Sequence, residues 1–143
     1  MAVKERNQQL RIVAEILLVH IPEQLSQDPA LTHDLMSVAA TSLRSIYDDA
    51  ERSAKAWDKK AYDVRSDELR REWEWALGAS NYALGLALRL TPLQRTDIAK
   101  LRLMISVKLQ KPARRQIADP KRFQGAAHAV RQLEAQRKKP VRW

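Results

Sequence analysis

The residue types that most often carry enzyme chemistry are sparse in this sequence. Its three histidines are His20, His33 and His128, and none of them has a second histidine three or four residues away or lies in a motif with a carboxylate at zinc-ligand spacing. We therefore interpret each histidine as a surface or capping residue. The chain contains no cysteine, which excludes disulfides, thiolate metal sites and a cysteine nucleophile.

The carboxylates do not indicate a catalytic or metal site either. Asp48, Asp49 and Glu51 are clustered, but Asp48 with Arg52 and Glu51 with Lys55 form i,i+4 pairs in the acid-first order of an exposed helix face. Glycine-rich phosphate loops, nucleophile elbows and metalloprotease motifs are absent from the sequence. We expect no enzymatic activity, no cofactor and no bound metal.

Positive charge is the strongest chemical signal, and it is concentrated in the last third of the chain. Residues 1–90 contain 12 Lys and Arg against 14 Asp and Glu, a net charge of −2, whereas residues 91–143 contain 14 against 3, a net charge of +11. Such an excess favours a polyanionic partner, most often nucleic acid. A basic segment that serves only solubility is the alternative interpretation.

The candidate nucleic-acid-binding residues lie on a predicted fourth helix, in the segment after it and in the C-terminal tail. They are Arg95, Arg102, Lys108, Lys111, Arg114, Arg115, Lys121, Arg122, Arg131, Arg137, Lys138, Lys139 and Arg142. Because phosphates need only a positive charge within reach, this pattern indicates binding with little sequence preference. The choice between RNA and DNA, and between single and double strands, stays open.

Length and composition predict one all-α domain. The 143 residues are 45% apolar and include only three glycines, which leaves little for hairpin turns. No segment reaches the ~18 consecutive apolar residues of a membrane helix, and the N-terminus has no apolar signal sequence. We expect a cytoplasmic protein with no membrane contact.

Prolines and caps divide the predicted helices. The first runs from about residue 3 to 20 and is ended by Pro22. The second begins at Asp28-Pro29, a cap followed by proline in the first turn, and ends between residues 57 and 64. Its predicted core seam is formed by Met36, Ala39, Leu43, Ile46, Ala50 and Trp57.

The third predicted helix runs from Ser66 to Leu90 and is apolar on all sides from residue 73 onward. Gly78 and Gly85 share one of its faces, which favours close approach by another helix or subunit. This predicts a homo-oligomer. Among the tryptophans, Trp57 and Trp73 are expected to pack in the core.

In the fourth predicted helix, Thr91 caps, Gln94 completes a capping box and Pro112 ends the helix. Asp119-Pro120 opens a weaker fifth helix. The predicted organisation is a four-helix bundle over residues 1–112 and a basic C-terminal helical extension over residues 113–143. In the alternative, residues 123–133 pack onto the bundle as a fifth core helix.

The order of these helices resembles a known family. A capped pair of helices leads into SIYDDAERSAKAWDKKAYDVRSDELRREWEWA, then a long apolar helix, then TPLQRTDIAKLRLMISVKL. Over residues 8–112 this resembles the accessory variability determinant (Avd) of diversity-generating retroelements. The resemblance implies a homopentamer of four-helix bundles that binds a reverse transcriptase and template RNA and supports mutagenic cDNA synthesis without being an enzyme. The extension from residue 113 departs from that pattern.

Two alternatives stay open at this stage. Small, basic, all-α proteins also serve as small subunits of CRISPR effector complexes, which bind guide RNA and displaced DNA. A phage or plasmid DNA-binding accessory protein is the other alternative.

Overall fold

The computed structural model describes residues 2–137, with side chains from Glu5 onward. Its regular structure is helical, and the described residues contain no strand. The predicted site residues Lys138, Lys139 and Arg142 lie outside the described residues. Within the described part of the chain, no helix has both the length and the apolar character needed to cross a membrane.

The N-terminal helix does not end where proline predicts. Helix α1 (Ala2–Glu15) continues through a π-helical segment (Ile16–His20) into α2 (Ile21–Gln24), and Pro22 lies in the first turn of α2. In the π segment the backbone N–H of Ile21 donates to the carbonyl of Ile16, five residues earlier. The wider turn moves the carbonyl that the proline ring would meet in a regular helix, so the chain stays helical past Pro22.

Helix α3 (Pro29–Lys59) is the centre of the fold and contacts α1, α4, α5 and α7. Its start confirms the predicted cap, because the Asp28 side chain accepts a hydrogen bond from the Leu31 N–H at 3.2 Å and Pro29 occupies the first turn. The predicted seam from Met36 to Ala50 is buried, and Trp57 is half-buried against the same core. A 31-residue helix with one buried stripe therefore provides the surface on which the others pack.

The predicted third helix is two helices, α4 (Asp63–Trp73) and α5 (Trp75–Leu88), separated by one turn residue, Glu74. The start lies three residues before the predicted one. Arg70 ties α4 back to α3 by donating to Asp58 at 2.6 Å and to Glu51 at 3.2 Å. The hydrogen bond from the Arg70 guanidinium to Asp58, together with one from Ser66, holds the pKa of the Asp58 carboxyl below its ordinary value.

The interior side of α5 is lined mostly by small residues, with Leu86 as its one large buried side chain. Ala76, Ala79, Ser80, Ala83 and Ala87 are buried, which lets α5 lie close to α3. The two helical glycines do not serve this contact. Gly78 and Gly85 are both exposed; a Cβ at Gly78 would lie 3.8 Å from the Met104 side chain, and one at Gly85 would have no neighbour within 4 Å.

Helix α6 (Arg95–Met104) starts and ends at other residues than predicted. Gln94 is the cap, and Asp97 returns a hydrogen bond to the Gln94 N–H at 2.9 Å. Thr91 instead offers its backbone carbonyl to His33 Nε2, at 2.9 Å. The helix ends eight residues before Pro112, because Ile105 turns to extended backbone while its side chain stays buried.

Residues 105–119 form an irregular strap with several bends, and the strap is tied to the core at its far end. Ile117 is 3% exposed and belongs to the main hydrophobic cluster. Asp119 then caps a single 3-10 turn, Pro120–Phe123, and Gly125 adopts a φ of +88° before α7 (Ala126–Arg137) begins. Asp119-Pro120 therefore opens only a short turn, and the positive φ separates that turn from the true helix.

Helix α7 packs on α3 and α5. Ala127 is buried on the packed face, and its N–H donates to the Asp34 carboxylate at 2.9 Å. Val130 is half-buried and Phe123 packs against the core, whereas Leu133 is largely exposed. This packing favours the alternative in which the C-terminal region adds to the core. The boundary at residue 112 stays a prediction.

A buried ion pair joins α1 to α3. Arg6 Nη1 donates to Asp49 Oδ2 at 3.0 Å, and the Arg6 guanidinium lies 5.3 Å from the centroid of the Trp73 ring. Asp49 also accepts from Arg52 at 3.4 Å, while its neighbour Asp48 pairs with Arg44. The predicted pairs of Asp48 with Arg52 and of Glu51 with Lys55 are therefore replaced by partners from other turns and helices.

Candidate nucleic-acid interface

The outer face of α6 carries the first two candidate residues. Ile98 and Leu101 are buried in the core, and Arg95 and Arg102 are exposed beside this buried stripe, three and four residues from Ile98. These arginines are seven residues apart, two helical turns or about 10 Å along the axis. Helix α6 therefore presents two cations in a row, and the burial of Ile98 and Leu101 holds the helix in place.

An apolar cleft lies between these two arginines and the N-terminal helices. It has a volume of about 300 Å³, and Arg95 and Arg102 line it together with Leu17, Pro22, Leu25 and Ile98. The uninterrupted helix through Pro22 makes this cleft possible, because it brings α2 opposite α6. If the helix ended before Pro22, the wall that Pro22 and Leu25 form would not be positioned by helical structure.

A second cleft of about 620 Å³ lies where α6 passes into the strap. Arg102 and Lys108 line it with Leu103, Ile105 and Val107, and Leu103 is 86% exposed. Ala99 and Arg102 line both clefts, so the two clefts are neighbours. The structure thus brings Arg95, Arg102 and Lys108 together along one surface, which we call the α6 face.

The candidate residues of the strap and the 3-10 turn are mostly open to solvent. Lys111, Arg114 and Lys121 are exposed and make no ion pair within the described residues. Arg115 donates to Glu23 of α2 at 3.0 Å, so its charge is paired within the described residues. Arg122 lies 4.9 Å from the centroid of the Phe123 ring.

The two candidates on α7 have structural partners. Arg131 is half-buried, and its guanidinium donates to the carbonyls of Ala87 and Arg89 at 3.4 and 3.3 Å, where α5 ends. Arg137 pairs with Glu134 at 3.0 Å. Arg131 therefore contributes first to the packing of α7, and the free cations lie on α6 and the strap.

The three acidic residues of the basic third all have local structural roles. Asp97 completes the cap of α6 and accepts from Arg89, Asp119 caps the 3-10 turn, and Glu134 pairs with Arg137. None of them pairs with a cation of the α6 face. The positive potential of that face is consequently not offset by an ion pair within the described residues.

Sequence reasoning missed a buried pair, Glu15 and His20, whose side chains are both 0% exposed. His20 Nε2 lies 2.7 Å from a Glu15 carboxylate oxygen, and the same carboxylate accepts from the backbone N–H groups of Gln116 and Ile117. His20 is thus a core residue and not a surface residue. A search at α-helical spacing misses this pair, because Glu15 and His20 are five residues apart. The π turn brings positions with that separation to the same face of the helix.

The electrostatics of this pair follow from its hydrogen bonds. Burial by itself would raise the pKa of Glu15, but the bonds from His20 and from the backbone of Gln116 and Ile117 together outweigh it and lower the pKa. An ionised Glu15 therefore holds the strap against α1. The other histidines also have local partners: His33 contacts the carbonyls of Pro29 and Thr91, and His128 contacts Gln132.

The tryptophans among the described residues and the acidic cluster take structural positions. Trp73 is buried as predicted, and Trp75 packs beside it with ring centroids 5.9 Å apart. Among the described residues, no group of three or more His, Asp or Glu side chains is arranged to hold a metal ion. The chemistry that this arrangement offers at its surface is the attraction of anions along the α6 face.

No protein-family model, curated protein or solved structure matches this chain.

Proposed function

We propose that this protein is a non-enzymatic nucleic-acid-binding accessory protein that holds the sugar–phosphate backbone on its α6 face. The observation that carries the proposal is the row Arg95, Arg102 and Lys108, exposed and without ion-pair partners among the described residues. Phosphates bound there release condensed counterions, which supplies most of the binding free energy of such proteins. Lys111 and Arg114 on the strap and Lys121 in the 3-10 turn add further exposed cations.

Within this proposal the fold is a four-helix bundle with a basic C-terminal extension. The bundle consists of the continuous N-terminal helix, α3, the α4–α5 pair and α6. The strap and α7 form the extension, which packs back on the bundle through Ile117 and Ala127. The helix order is the basis for the wider role that we propose. In that role a cytoplasmic homo-oligomer, pentameric as in Avd, assists a retroelement reverse transcriptase and its template RNA.

The test compares two triple variants that remove the same charge. One is Arg95→Gln/Arg102→Gln/Lys108→Gln; the control is Lys55→Gln/Lys59→Gln/Lys60→Gln, at exposed positions near the end of α3. Affinity for a fluorescein-labelled oligonucleotide is measured by anisotropy over a salt series. We expect the first variant to lose at least tenfold in affinity and its log–log salt slope to flatten by about 2 to 3, since each phosphate contact contributes roughly 0.7 to 0.9.

The control variant should retain both its affinity and its slope. Equal losses in the two variants would contradict the proposal, because the net charge and not the α6 face would then govern binding. Native mass spectrometry tests the assembly: a closed ring supports the accessory role beside a reverse transcriptase. Co-purification with a multi-subunit Cas complex would instead support the CRISPR alternative.

A further inference from the structure

We propose that the α6 face selects single-stranded over double-stranded nucleic acid, with unstacked bases entering its two apolar clefts. This inference rests on the proposed function and adds the strand state of the ligand. The observation behind it is the alternation of cations and apolar clefts along one surface: Arg95, the first cleft, Arg102, the second cleft, Lys108.

A surface that bound only phosphates would need cations and no apolar hollows. Here the walls between the cations are apolar, with Leu17, Leu25 and Ile98 in the first cleft and Leu103 and Val107 in the second. The volumes of about 300 and 620 Å³ are of the size that accommodates small organic groups. The clefts therefore offer contact to the apolar faces of nucleobases while the flanking guanidinium and ammonium groups meet the phosphates.

The strand state decides whether that contact can form. In a duplex the base faces are stacked on one another, so exposing a face costs a few kcal/mol of unstacking for each base. In a single strand the bases can turn outward without breaking pairs, and apolar or stacking contact then adds to the phosphate contacts. A duplex would use only the cations of the α6 face, and a single strand would use the cations and the clefts.

The exposed leucine in the second cleft supports this interpretation. Leu103 is 86% exposed beside Arg102 and Lys108, at the point where α6 gives way to the strap. An apolar side chain of this size gains burial only from a ligand that brings an apolar surface of its own. The phosphate backbone of a duplex does not bring one, whereas an unstacked base does.

Ala99 provides a variant that closes the clefts without changing charge. It lies on the exposed side of α6 and lines both clefts, so Ala99→Leu narrows both while keeping a good helix former. Thr96→Leu is the matched control, because Thr96 is exposed on the same helix and lines neither cleft. Leu103→Gln is a second variant that removes the apolar wall of the second cleft at an exposed position.

The experiment measures the affinity of the full chain and each variant for four probes: single-stranded RNA, single-stranded DNA, duplex DNA of the same sequence, and linear polyphosphate. We expect the unchanged protein to prefer a single strand to the duplex. Ala99→Leu should weaken single-strand binding by about fourfold or more, equivalent to the loss of one buried CH₂ group of apolar contact. Binding to duplex and polyphosphate should not change, and Leu103→Gln should show the same selectivity with a smaller loss.

The outcomes separate this inference from the proposed function. Unchanged single-strand affinity in both cleft variants, or an equal loss for single strand and duplex, would overturn the inference while polyphosphate binding upheld the cationic face. Failure of the unchanged protein to bind any of the four probes would overturn both. A preference between the RNA and DNA strands would identify which polymer supplies the single strand, and circular dichroism on each sample verifies that the variants are folded.

Discussion

Asp48 and Asp49 are neighbours in the sequence but meet different surroundings. The Asp48 side chain is 52% exposed and pairs with Arg44 one turn away on the same helix. The Asp49 side chain is 9% exposed and receives Arg6 from α1, which also lies over Trp73 of α4. The Arg6–Asp49 pair, with the contact of Arg6 to Trp73, therefore connects α1, α3 and α4. The Arg44–Asp48 pair lies on the surface of one helix.

The cost of removing each carboxylate should differ accordingly. Asp49→Ala leaves the Arg6 charge buried without its partner, and we expect a loss of roughly 3 to 5 kcal/mol of unfolding free energy. Asp48→Ala removes an exposed pair and should cost about 0 to 1 kcal/mol. Urea denaturation of both variants at neutral pH measures the difference, and equal midpoints would show that the Arg6–Asp49 pair contributes nothing to stability.

Glu15 should make the stability of the protein depend on pH. Its pKa is lowered in the folded state, so its contribution is fully present above the unfolded value near 4.5 and is lost as the pH falls through the folded value. We expect Glu15→Gln to be less stable than the unchanged protein at pH 7. The gap should shrink below about pH 4.5, where the carboxylate itself becomes protonated.

Glu5→Gln is the control for that measurement, because Glu5 is exposed on the same helix. Urea midpoints of the three proteins over a pH series give the comparison. A gap between Glu15→Gln and the unchanged protein that stays constant from pH 7 to below the folded pKa would show that Glu15 ionisation does not hold the strap.

At the scale of elements, the start of α6 shows how two adjacent cap signals compete. Thr91 and Gln94 can each precede a helix, but only Gln94 has an acid, Asp97, three residues later. The carbonyl of Thr91 is bound to His33 of α3, and this contact keeps the residues before Gln94 outside the helix. A long-range hydrogen bond thus selects the cap.

Removing each candidate cap tests this assignment. Asp97→Ala deletes the returned hydrogen bond and the partner of Arg89, and should destabilise the fold by roughly 1 to 2 kcal/mol. Thr91→Ala leaves its backbone carbonyl in place and should change stability by less than about 0.5 kcal/mol. Thermal melts followed by circular dichroism compare the two, and a larger shift for Thr91→Ala would move the helix start back to residue 91.

At the scale of the whole molecule, the basic third of the chain serves folding as well as charge. The strap contributes Ile117 to the core and two backbone N–H groups to Glu15, and α7 contributes Ala127. Cations of this third that have no ion-pair partner among the described residues lie on α6 and on the exposed side of the strap. The strap therefore contributes buried groups to the fold on one side and presents exposed cations on the other.

Two truncations separate these roles. Deleting residues 113–143 removes the buried Ile117 side chain and the two backbone N–H groups that donate to Glu15. We expect loss of the cooperative melt, because the core is then exposed along α1 and α3. Deleting only residues 138–143 removes three cations and none of the described contacts, so it should keep the melt and weaken polyanion binding. A cooperative melt in the longer deletion would show that the bundle of residues 1–112 folds alone.

Local sequence signals determined the features that depend on a single turn or a single face. Asp28-Pro29 specifies the start of α3, since a cap and its proline act within four residues. The spacing from Met36 to Ala50 specifies the buried stripe of α3. The excess of positive charge after residue 90 is a property of composition and needs no fold.

Tertiary contacts decided the rest, because the partners are far apart in the chain. Pro22 stays inside a helix, since a π turn accommodates it and buries His20 against Glu15. Glu15 then binds backbone groups 101 and 102 residues away, and this contact, with the burial of Ile117, holds the strap against the core. No local sequence pattern predicts a hydrogen bond between residues so far apart in the chain. The two clefts between Arg95, Arg102 and Lys108 likewise depend on tertiary structure, because they form only when α2 and the strap lie beside α6.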